Sequence, residues 1–571
     1  MDLSSKDDSI GWNLQTAAVG ILWPRQRQAL RSRDAVNSMA YGIRHATRAL
    51  VDAFLTFLPQ PISVYARSCS LNLARQRLDT LLGPSSLNGP QRRLVQVSSL
   101  IEDWSGGRVG LWFNPTGDIA APFNFRSVLG LAEVPVASLH HTISYQQYLQ
   151  TKFPLLLLSR PRPFDAIICT SHAAKRAVEQ AIYLTAESLS RSLGIDLPFN
   201  GKLPILPLGV DTDIMRPRGK EAARVSLGLD NRDVVLLFLG RTSVVDKGDL
   251  VPWLRTLCRL PQHMQKHLVI VIAGQQEQST ATELDRFLNS EHPLFRINAR
   301  GFIPERAKPL VYSAADIFIS PSDSVQEMFG LTPLEAMACG VPQIVSDWDG
   351  YRDIVEDGKT GFLIPTVWGS CTTQIDALSL LDPADWQDTH FHLGQSVAVD
   401  CEVFLERIKL MIEDSQLRAR MSSESRQRAV ELFSWPTVVQ RYRELFGSLV
   451  DEARSCTGRS GDCSHRSVPQ PRYFDLFCHF ATATLEPSTL LCPSTQRFQD
   501  SQLAEQFPYP DLQDLNPDII SLIDDVMASD HGQIRVQEVI ETCQQATPDL
   551  EQGVVWRHLM WLIKYGFVRA A

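Results

Sequence analysis

Two glutamates flank a turn in the stretch SDSVQEMFGLTPLEAMACGVP, which covers Ser322–Pro342. Glu327 and Glu335 have seven residues between them, and Thr332 followed by Pro333 predicts a helix that begins between the two acids. The free N–H groups of a helix start attract phosphates. A carboxylate can accept hydrogen bonds from two hydroxyl groups at once, as in sugars and ribose. The spacing therefore indicates a site for a sugar phosphate.

A structural alternative exists for each of these acids. Thr332-Pro-Leu-Glu335 matches a capping box, in which Glu335 would only bond the backbone at its own helix start. Glu327 precedes the helix by one turn, has no capping role, and would then be a solvated loop acid. Because both carboxylates bracket a helix start, ligand binding is favoured over these structural alternatives.

Two cations follow an apolar run upstream, in LLFLGRTSVVDKGDL. Gly240 is followed by Arg241 and, six residues later, by Lys247. Arginine and lysine just after a strand are suited to pair with a diphosphate. The alternative is a pair of solvated cations, which is less attractive because the acidic motif lies in the same half of the chain.

Short apolar runs alternate with helical patterns over most of the chain, which predicts the elements that position these residues. The predicted strands are Ala17–Trp23, Pro61–Ala66, Arg108–Phe113, Pro135–His140, Asp165–Ser171, Asp233–Gly240, His267–Gly274, Asp316–Ser322 and Pro342–Asp347. Apolar strands between helices are typical of parallel sheets covered on both faces. The predicted fold class is α/β, with two Rossmann-like doubly wound domains that face a cleft.

The predicted boundaries follow the proline- and glycine-rich stretches. We expect an N-terminal Rossmann-like domain over 1–205, a C-terminal Rossmann-like domain over 206–450, a linker over 451–475 and an accessory domain over 476–571. The segment Val367–Val399 interrupts the second domain and is predicted to be a surface insertion.

Bulk composition limits the classes of function. The chain has 571 residues, 44% of them hydrophobic and 21% charged, with a formal net charge of -9, so it offers no general basic surface for nucleic acid. No run of 18 apolar residues and no secretory signal pattern is present, and the 11 cysteines form no CxxC pair. These features predict a cytoplasmic protein with reduced thiols.

The motifs together resemble the retaining, nucleotide-sugar-dependent glycosyltransferases of family four, which have the GT-B fold. The resemblance rests on GRTSVVDKGD, on SPSDSVQEMFGLTPLEAMACGVPQIVSD and on YRDIVEDGKTGFLIP, and it covers roughly residues 15–450. It implies that Glu335 binds the ribose hydroxyls and that Glu327 binds the transferred sugar. The roles it implies for the remaining donor-side residues are diphosphate binding by Arg241 and Lys247, backbone contacts by Gly240, Phe329, Gly330, Leu331 and Thr332, and a place near the base for Arg300–Ile303.

The resemblance also implies that the enzyme needs no metal and no cofactor, since the nucleotide-sugar is itself a substrate. Two D-x-D strings, Asp211–Asp213 and Asp347–Asp349, are therefore not expected to bind metal, because they lie in a linker and at a strand end. Cys456, Cys463 and His465 fit no common zinc spacing.

The acceptor side is predicted less sharply. SLHHTIS places His140 and His141 at a strand end, where the family has a histidine that contacts donor sugar or acceptor, and His141 is preferred because it opens the loop into the cleft. Pairing with backbone is the alternative for both.

The segment after the first strand lacks the glycine pair of many relatives. It carries six arginines, at positions 25, 27, 31, 33, 44 and 48. They suit an anion grip with Arg33 or Asn37 near the cleft, a membrane-surface patch, or a solvated face, and the last is favoured.

The tail from Asn516 has a winged-helix outline. It holds eight Asp/Glu and four Arg/Lys, so its net charge of -4 disfavours DNA binding and favours a protein partner or acceptor docking. Two functions remain open for the whole chain. The first is a retaining glycosyltransferase acting on an unknown glycan, lipid-linked, peptide or natural-product acceptor, and the second is a non-catalytic nucleotide-sugar sensor acting through its tail.

Overall fold

Two six-stranded sheets form the framework of the protein in this computed structural model. The residues that the structure describes are 18–22, 42–66, 68–83, 92–96, 99–129, 133–369, 373–381, 386–456, 478–494, 497–501, 503, 515–529, 533–548 and 550–570. The chain divides into two compact units, Met1–Tyr65 with Arg77–Val468 and Ala66–Gln76 with Pro469–Ala571. Both six-stranded sheets belong to the first unit.

The first sheet has the strand order β3-β2-β1-β4-β5-β6. Its strands are β1 (Ala18–Leu22), β2 (Ile62–Ala66), β3 (Arg92–Gln96), β4 (Val109–Asn114), β5 (Val136–Leu139) and β6 (Ala166–Ile168). The helices in this part of the sequence are Gly42–Phe57, Ser68–Leu82, Leu100–Ser105, Ala121–Leu129, Gln146–Leu158 and His172–Leu193. The order is that of a Rossmann-type sheet, with its switch point between β1 and β4.

The second sheet repeats this arrangement in the order β12-β11-β10-β7-β8-β9. Its strands are β7 (Val234–Leu239), β8 (Leu268–Ala273), β9 (Arg296–Arg300), β10 (Ile317–Ser320), β11 (Gln343–Ser346) and β12 (Gly361–Ile364). The helices of this part are Lys220–Leu227, Val251–Leu257, Gln262–Gln265, Gln278–Glu291, Lys308–Ala314, Leu331–Ala338, Tyr351–Ile354, Cys401–Glu413, Ser415–Phe433 and Trp435–Cys456. All residues of β8 and β10 are buried, which explains their continuous apolar sequences.

The predicted fold class of two doubly wound domains is confirmed. Three strands of the two six-stranded sheets were missed by the sequence patterns, namely β3, β9 and β12. All three lie at sheet edges, and β3 and β9 also carry arginines, so none shows the long apolar run of a central strand.

The segment Thr366–Val399, here called the excursion, leaves the second sheet as expected for an insertion. Its ends, β13 (Thr366–Trp368) and β14 (Val397–Val399), pair antiparallel in a sheet of their own. Between them lie the helices Thr373–Leu381 and Trp386–Gln395.

The helix Trp435–Cys456 returns from the second sheet to the first. Tyr442 and Phe446 pack against Phe54 and Phe113, with ring centroids 5.0–5.8 Å apart. This aromatic cluster joins the two Rossmann-like domains within one unit. Among the described residues, no helix combines the length and the apolar character that a membrane crossing requires.

The unit that contains the C-terminal residues has its own core and a three-stranded antiparallel sheet. The sheet has the order β16 (Ile534–Arg535), β15 (Leu490–Pro493), β17 (Val568–Ala570), and the helices are Pro517–Ser529, Val536–Ala546 and Gln552–Lys564. The succession of helix, strand, helix, helix and strand is the predicted one. The central strand β15 was not predicted, and the winged-helix assignment stays a prediction.

Candidate functional site

The donor-side motifs converge on the switch point of the second sheet. β7 pairs with β10, and the chain turns at the carboxyl end of each strand into a loop that carries predicted site residues. The loop after β7 carries Arg241 and Lys247, and the loop after β10 carries Glu327. Ligands of open α/β sheets bind at this edge, where the strand order reverses.

Glu327 and Lys247 form an ion pair. Lys247 Nζ lies 2.9 Å from Glu327 Oε2, and the side chains are 33% and 11% exposed. Arg241 lies 2.7 Å from Asp246 and is also largely buried. Neither cation is fully solvated, because each is paired with a carboxylate.

Glu335 is held by two side chains of the preceding helix. Its Oε1 accepts a hydrogen bond from Lys308 Nζ at 2.9 Å, and its Oε2 accepts one from the Tyr312 hydroxyl at 2.8 Å. Lys308 also lies 2.8 Å from Glu305. Burial lowers the pKa of Lys308, but its two glutamate partners outweigh this and leave the pKa raised. An ammonium group thus faces two carboxylates, one of them buried.

The capping-box alternative for Glu335 is wrong. The helix begins at Leu331, its N-cap is Gly330, and no side chain caps it. Thr332 was predicted to be the cap, but it lies inside the first turn. Sequence could not show this, because the start is set by a glycine with a φ of 104°.

The close approach of a tyrosine explains that glycine. A Cβ on Gly330 would lie 2.5 Å from a ring carbon of Tyr351, and a Cβ on Gly350 would lie 2.5 Å from the Cα of Phe329. Gly350 and Tyr351 therefore press against the residues just before the helix. With no side-chain cap, the N-terminal amides of Leu331 and Thr332 are available to an anion.

Asp349 lies near Glu327 in the candidate site, and the sequence interpretation gave it no role there. Its carboxylate accepts a hydrogen bond at 3.1 Å from the hydroxyl of Ser171, which belongs to the first domain. Burial, and next the charge of Glu327, raise the pKa of Asp349 to about 8. Its φ of 44° is unusual for a residue other than glycine. The only sequence signal was the D-x-D string, which points to a different chemistry.

The other acids of the D-x-D strings serve local structure. Asp211 accepts hydrogen bonds from the backbone of Asp213 and Ile214, and Asp347 pairs with Arg352.

Within the described residues, one group could offer three metal ligands: His45, Glu305 and Glu335. Lys308 already donates to both of these carboxylates, so an ammonium group occupies that position. Of the three residues whose spacing fits no common zinc pattern, Cys456 ends a helix and is exposed, and Cys463 and His465 lie outside the described residues.

The two histidines occupy different environments after β5. His140 is fully buried, and neither ring nitrogen has a hydrogen-bond partner. Burial, and next His141, lower its pKa to about 3. His141 Nε2 lies 2.8 Å from the carbonyl oxygen of Pro115 and 3.3 Å from the Thr47 hydroxyl, and burial lowers its pKa to about 4. Both rings are therefore neutral at pH 7, and a catalytic role for either stays a prediction.

The remaining predicted contacts lie at the same sheet edge. Gly240 directly follows β7, and Gly274 directly follows β8. The two backbones approach closely, because a Cβ on Gly274 would lie 2.0 Å from the Gly240 carbonyl oxygen. Ile303 lies in the loop after β9 and is half-buried. β9 is two strands from β7, so a nucleotide that crosses the edge from the switch point would pass from Gly240 towards Ile303.

Most of the arginine-rich segment lies outside the described residues, namely Arg25, Arg27, Arg31, Arg33 and Asn37. The side chain of Arg48 is described, and it is half-buried beside Asp52 and Arg77. Burial, and next the charge of Arg77, lower the pKa of Arg48. The favoured interpretation of a fully solvated face therefore does not hold for this arginine.

Comparison with known proteins points to one family. Residues 219–383 match the family model "Glycosyl transferases group 1". A D-inositol 3-phosphate glycosyltransferase of Corynebacterium jeikeium is 31% identical over 252 residues, which are 43% of this chain and 51% of that protein. A protein of the same name from Mycobacterium leprae is 33% identical over 190 residues, which are 33% of this chain and 42% of that protein. The match thus spans about half the length of these curated relatives.

Among solved structures, Anabaena HepE in complex with UDP is similar with a TM-score of 0.50 and 18% sequence identity. The similarity covers 76% of this chain and 100% of that chain. At this identity the likeness concerns the fold, and it confirms the GT-B arrangement of two Rossmann-like domains.

Proposed function

We propose that this chain, which carries a group 1 glycosyltransferase domain at residues 219–383, transfers a sugar from a nucleotide diphosphate to an acceptor hydroxyl with retained anomeric configuration. The observation that carries the proposal is the placement of Glu327 and Glu335 on either side of an uncapped helix start at the switch point. Two cations, Arg241 and Lys247, come to the same edge from the loop after β7.

The donor would lie along this edge in three parts. The ribose hydroxyls would bind Glu335, whose carboxylate is already oriented by Lys308 and Tyr312. The diphosphate would lie between the helix start and the two cations of the β7 loop. The sugar would bind Glu327. The similar Anabaena HepE was solved in complex with UDP. A uridine nucleotide is therefore the first donor to test.

The chemistry follows from where charge develops. The bond between the anomeric carbon and the diphosphate oxygen breaks, and its electron pair leaves with the diphosphate. The acceptor oxygen forms the new bond to the anomeric carbon, and its proton passes to the departing diphosphate. Positive charge on the sugar ring is stabilised by Glu327, and negative charge on the leaving group by Arg241, Lys247 and the helix N-terminus.

We further propose that the transfer is independent of metal ions, because protein cations and backbone amides can supply the positive charge that the leaving group needs. We expect turnover to be unchanged after dialysis against EDTA. A loss of turnover that magnesium or manganese restores would contradict this part of the proposal.

Two experiments test the function. A thermal-shift panel with UDP, GDP, ADP and dTDP identifies the nucleotide, because a ligand at about 100 times its dissociation constant stabilises by roughly 2.7 kcal/mol. Release of that nucleotide diphosphate from the corresponding nucleotide-sugar then reports turnover, and NMR of the product reports its anomeric configuration. Absence of binding to all four nucleotides would refute the donor site.

The alternative of a non-catalytic sensor is not favoured, since all four charged groups of the predicted donor site are present. Binding of a nucleotide-sugar without release of its nucleotide, in the presence of glycan, lipid-linked and peptide acceptors, would restore it.

A further inference from the structure

The helix Trp386–Gln395 of the excursion contacts loops from both Rossmann-like domains. On one side, Trp386 and His390 pack against the ring of Tyr145 at centroid distances of 5.3 Å each, and His390 Nε2 lies 3.1 Å from the carbonyl oxygen of Ser144. On the other side, Gly394 faces the donor loops of the second domain. A Cβ built there would lie 3.6 Å from both Asp323 Oδ1 and the Val244 carbonyl oxygen.

Tyr145 connects this helix to the loop that carries Glu327. The Gln326 side-chain amide donates a hydrogen bond to the Tyr145 hydroxyl at 2.5 Å. On the other side of Glu327, the backbone carbonyl of Met328 accepts a hydrogen bond from Thr170 at 3.3 Å. Both neighbours of Glu327 in sequence are therefore tied to the first domain, while Glu327 itself pairs with Lys247 of the second.

The histidine in this contact is a fixed structural group. His390 is 1% exposed, and burial lowers its pKa, so the ring is neutral at pH 7. Because Nε2 lies beside a carbonyl oxygen, Nε2 carries the hydrogen atom and donates a hydrogen bond to the carbonyl oxygen of Ser144. The Trp386 ring packs edge-to-face against the His390 ring, with centroids 5.2 Å apart. Together the two side chains form the surface against which Tyr145 packs.

We infer that the helix Trp386–Gln395 is a positioning element, which fixes Tyr145 and through Gln326 holds Glu327 against the transferred sugar. This inference rests on the proposed function for its effect on turnover, but not for its effect on the loop. Trp386 and His390 act through Tyr145 and are therefore positioning residues. A displacement of a reacting group by about 1 Å can reduce a rate about a hundredfold, so a small shift of this loop has a large effect.

The experiment compares Trp386→Leu with a matched control in the same excursion, Leu381→Ser, whose side chain is 83% exposed. Hydrogen–deuterium exchange followed by mass spectrometry measures the protection of residues 323–330. Affinity for UDP is measured by calorimetry, and turnover by release of UDP from UDP-glucose.

For Trp386→Leu we expect faster exchange in 323–330, UDP affinity within about threefold of wild type, and turnover reduced at least about tenfold, because UDP lacks the sugar that Glu327 holds. Leu381→Ser should resemble wild type in all three measurements. Unchanged exchange in 323–330 for a folded Trp386→Leu protein would overturn the inference.

A second variant keeps the test valid if Trp386→Leu does not fold. Tyr145→Phe retains the ring that packs on the helix and removes only the hydroxyl that accepts from Gln326. We expect it to increase hydrogen–deuterium exchange in residues 323–330 as well. The double variant, Tyr145→Phe with Gln326→Ala, should exchange no faster in this segment than either single variant. Additive effects would overturn the proposed link. If the wild-type protein releases no UDP, the proposed function or the choice of donor fails, whereas the exchange measurements still decide the role of the helix.

Discussion

Substitution of Glu335 by glutamine distinguishes a ligand-binding role of this carboxylate from a purely structural one. The change keeps the shape of the side chain but removes its charge, and only one of its two terminal atoms remains an acceptor. In the wild-type protein, Lys308 and Tyr312 lie 2.9 and 2.8 Å from separate oxygens of Glu335. The one remaining oxygen of the glutamine can accept a hydrogen bond from Lys308 or from Tyr312. A hydrogen bond to a charged group contributes about 1.5–3 kcal/mol. The free energy of unfolding should therefore fall by about that amount.

The same substitution should weaken binding of the nucleotide. Loss of one charged hydrogen bond to a ribose hydroxyl is worth about 1.5–3 kcal/mol, and about 1.4 kcal/mol corresponds to a tenfold change in affinity. We therefore expect the dissociation constant for the identified nucleotide, measured by calorimetry, to rise about ten- to a hundredfold. Binding at a temperature where the variant is fully folded removes the contribution of lost stability.

The chain provides a matched control in Glu305. Its carboxylate lies 2.8 Å from the same Lys308 ammonium, but it is half exposed and does not flank the helix start. Glu305→Gln removes an equal negative charge from beside the same lysine. We expect the affinity for the nucleotide to stay within about twofold of wild type, since this acid forms no proposed bond to the ligand. If both variants weaken binding equally, the effect comes from Lys308. If neither does, Glu335 does not bind ribose.

Three further predictions concern the other charged groups. Glu327→Gln should leave UDP affinity unchanged and reduce turnover at least about a hundredfold, since the acid faces the sugar; equal loss of UDP binding would place it on the nucleotide instead. Lys247→Met should weaken the binding of UDP but not that of uridine, because only UDP carries the diphosphate. Calorimetry compares the two affinities, and an equal loss for both ligands would exclude a phosphate contact. Asp349 has a folded pKa of about 8, raised by burial and then by Glu327 from an ordinary value of 3.8, so its contribution to stability is complete below about pH 4 and is lost as the pH rises through 8. Asp349→Asn should therefore flatten the fall in stability between pH 5 and 8, measured by denaturant unfolding, and an unchanged pH profile would refute this.

The sheets could be predicted because their central strands are buried on both faces. Asp233–Gly240 and His267–Gly274 are continuous apolar runs, and the structure places β7 and β8 within them. The strand RINAR of β9 could not be found in this way. It lies at the sheet edge, where none of its five residues is fully buried, and its arginines obscure the pattern.

The acids of the site could be predicted, but their partners could not. Glu327 and Glu335 are marked by their spacing around one helix start, which is local in sequence. The lysine that holds Glu335 is 27 residues earlier, and the lysine that holds Glu327 is 80 residues earlier. Such pairs depend on how helices and strands pack, and no spacing rule links them.

The place of a residue can also be predicted correctly while its chemistry is misread. Asp349 was set aside because its D-x-D string was considered only as a metal site and rejected as one, yet the fold brings it to Ser171 and close enough to Glu327 for that charge to raise its pKa. The excursion was predicted to be a surface insertion because it interrupts the second domain. Nothing in its sequence showed that Trp386 and His390 return to Tyr145 of the first domain. Interruptions of a sheet pattern therefore identify where a chain departs from its fold, and the contacts at their far ends decide what the departure does.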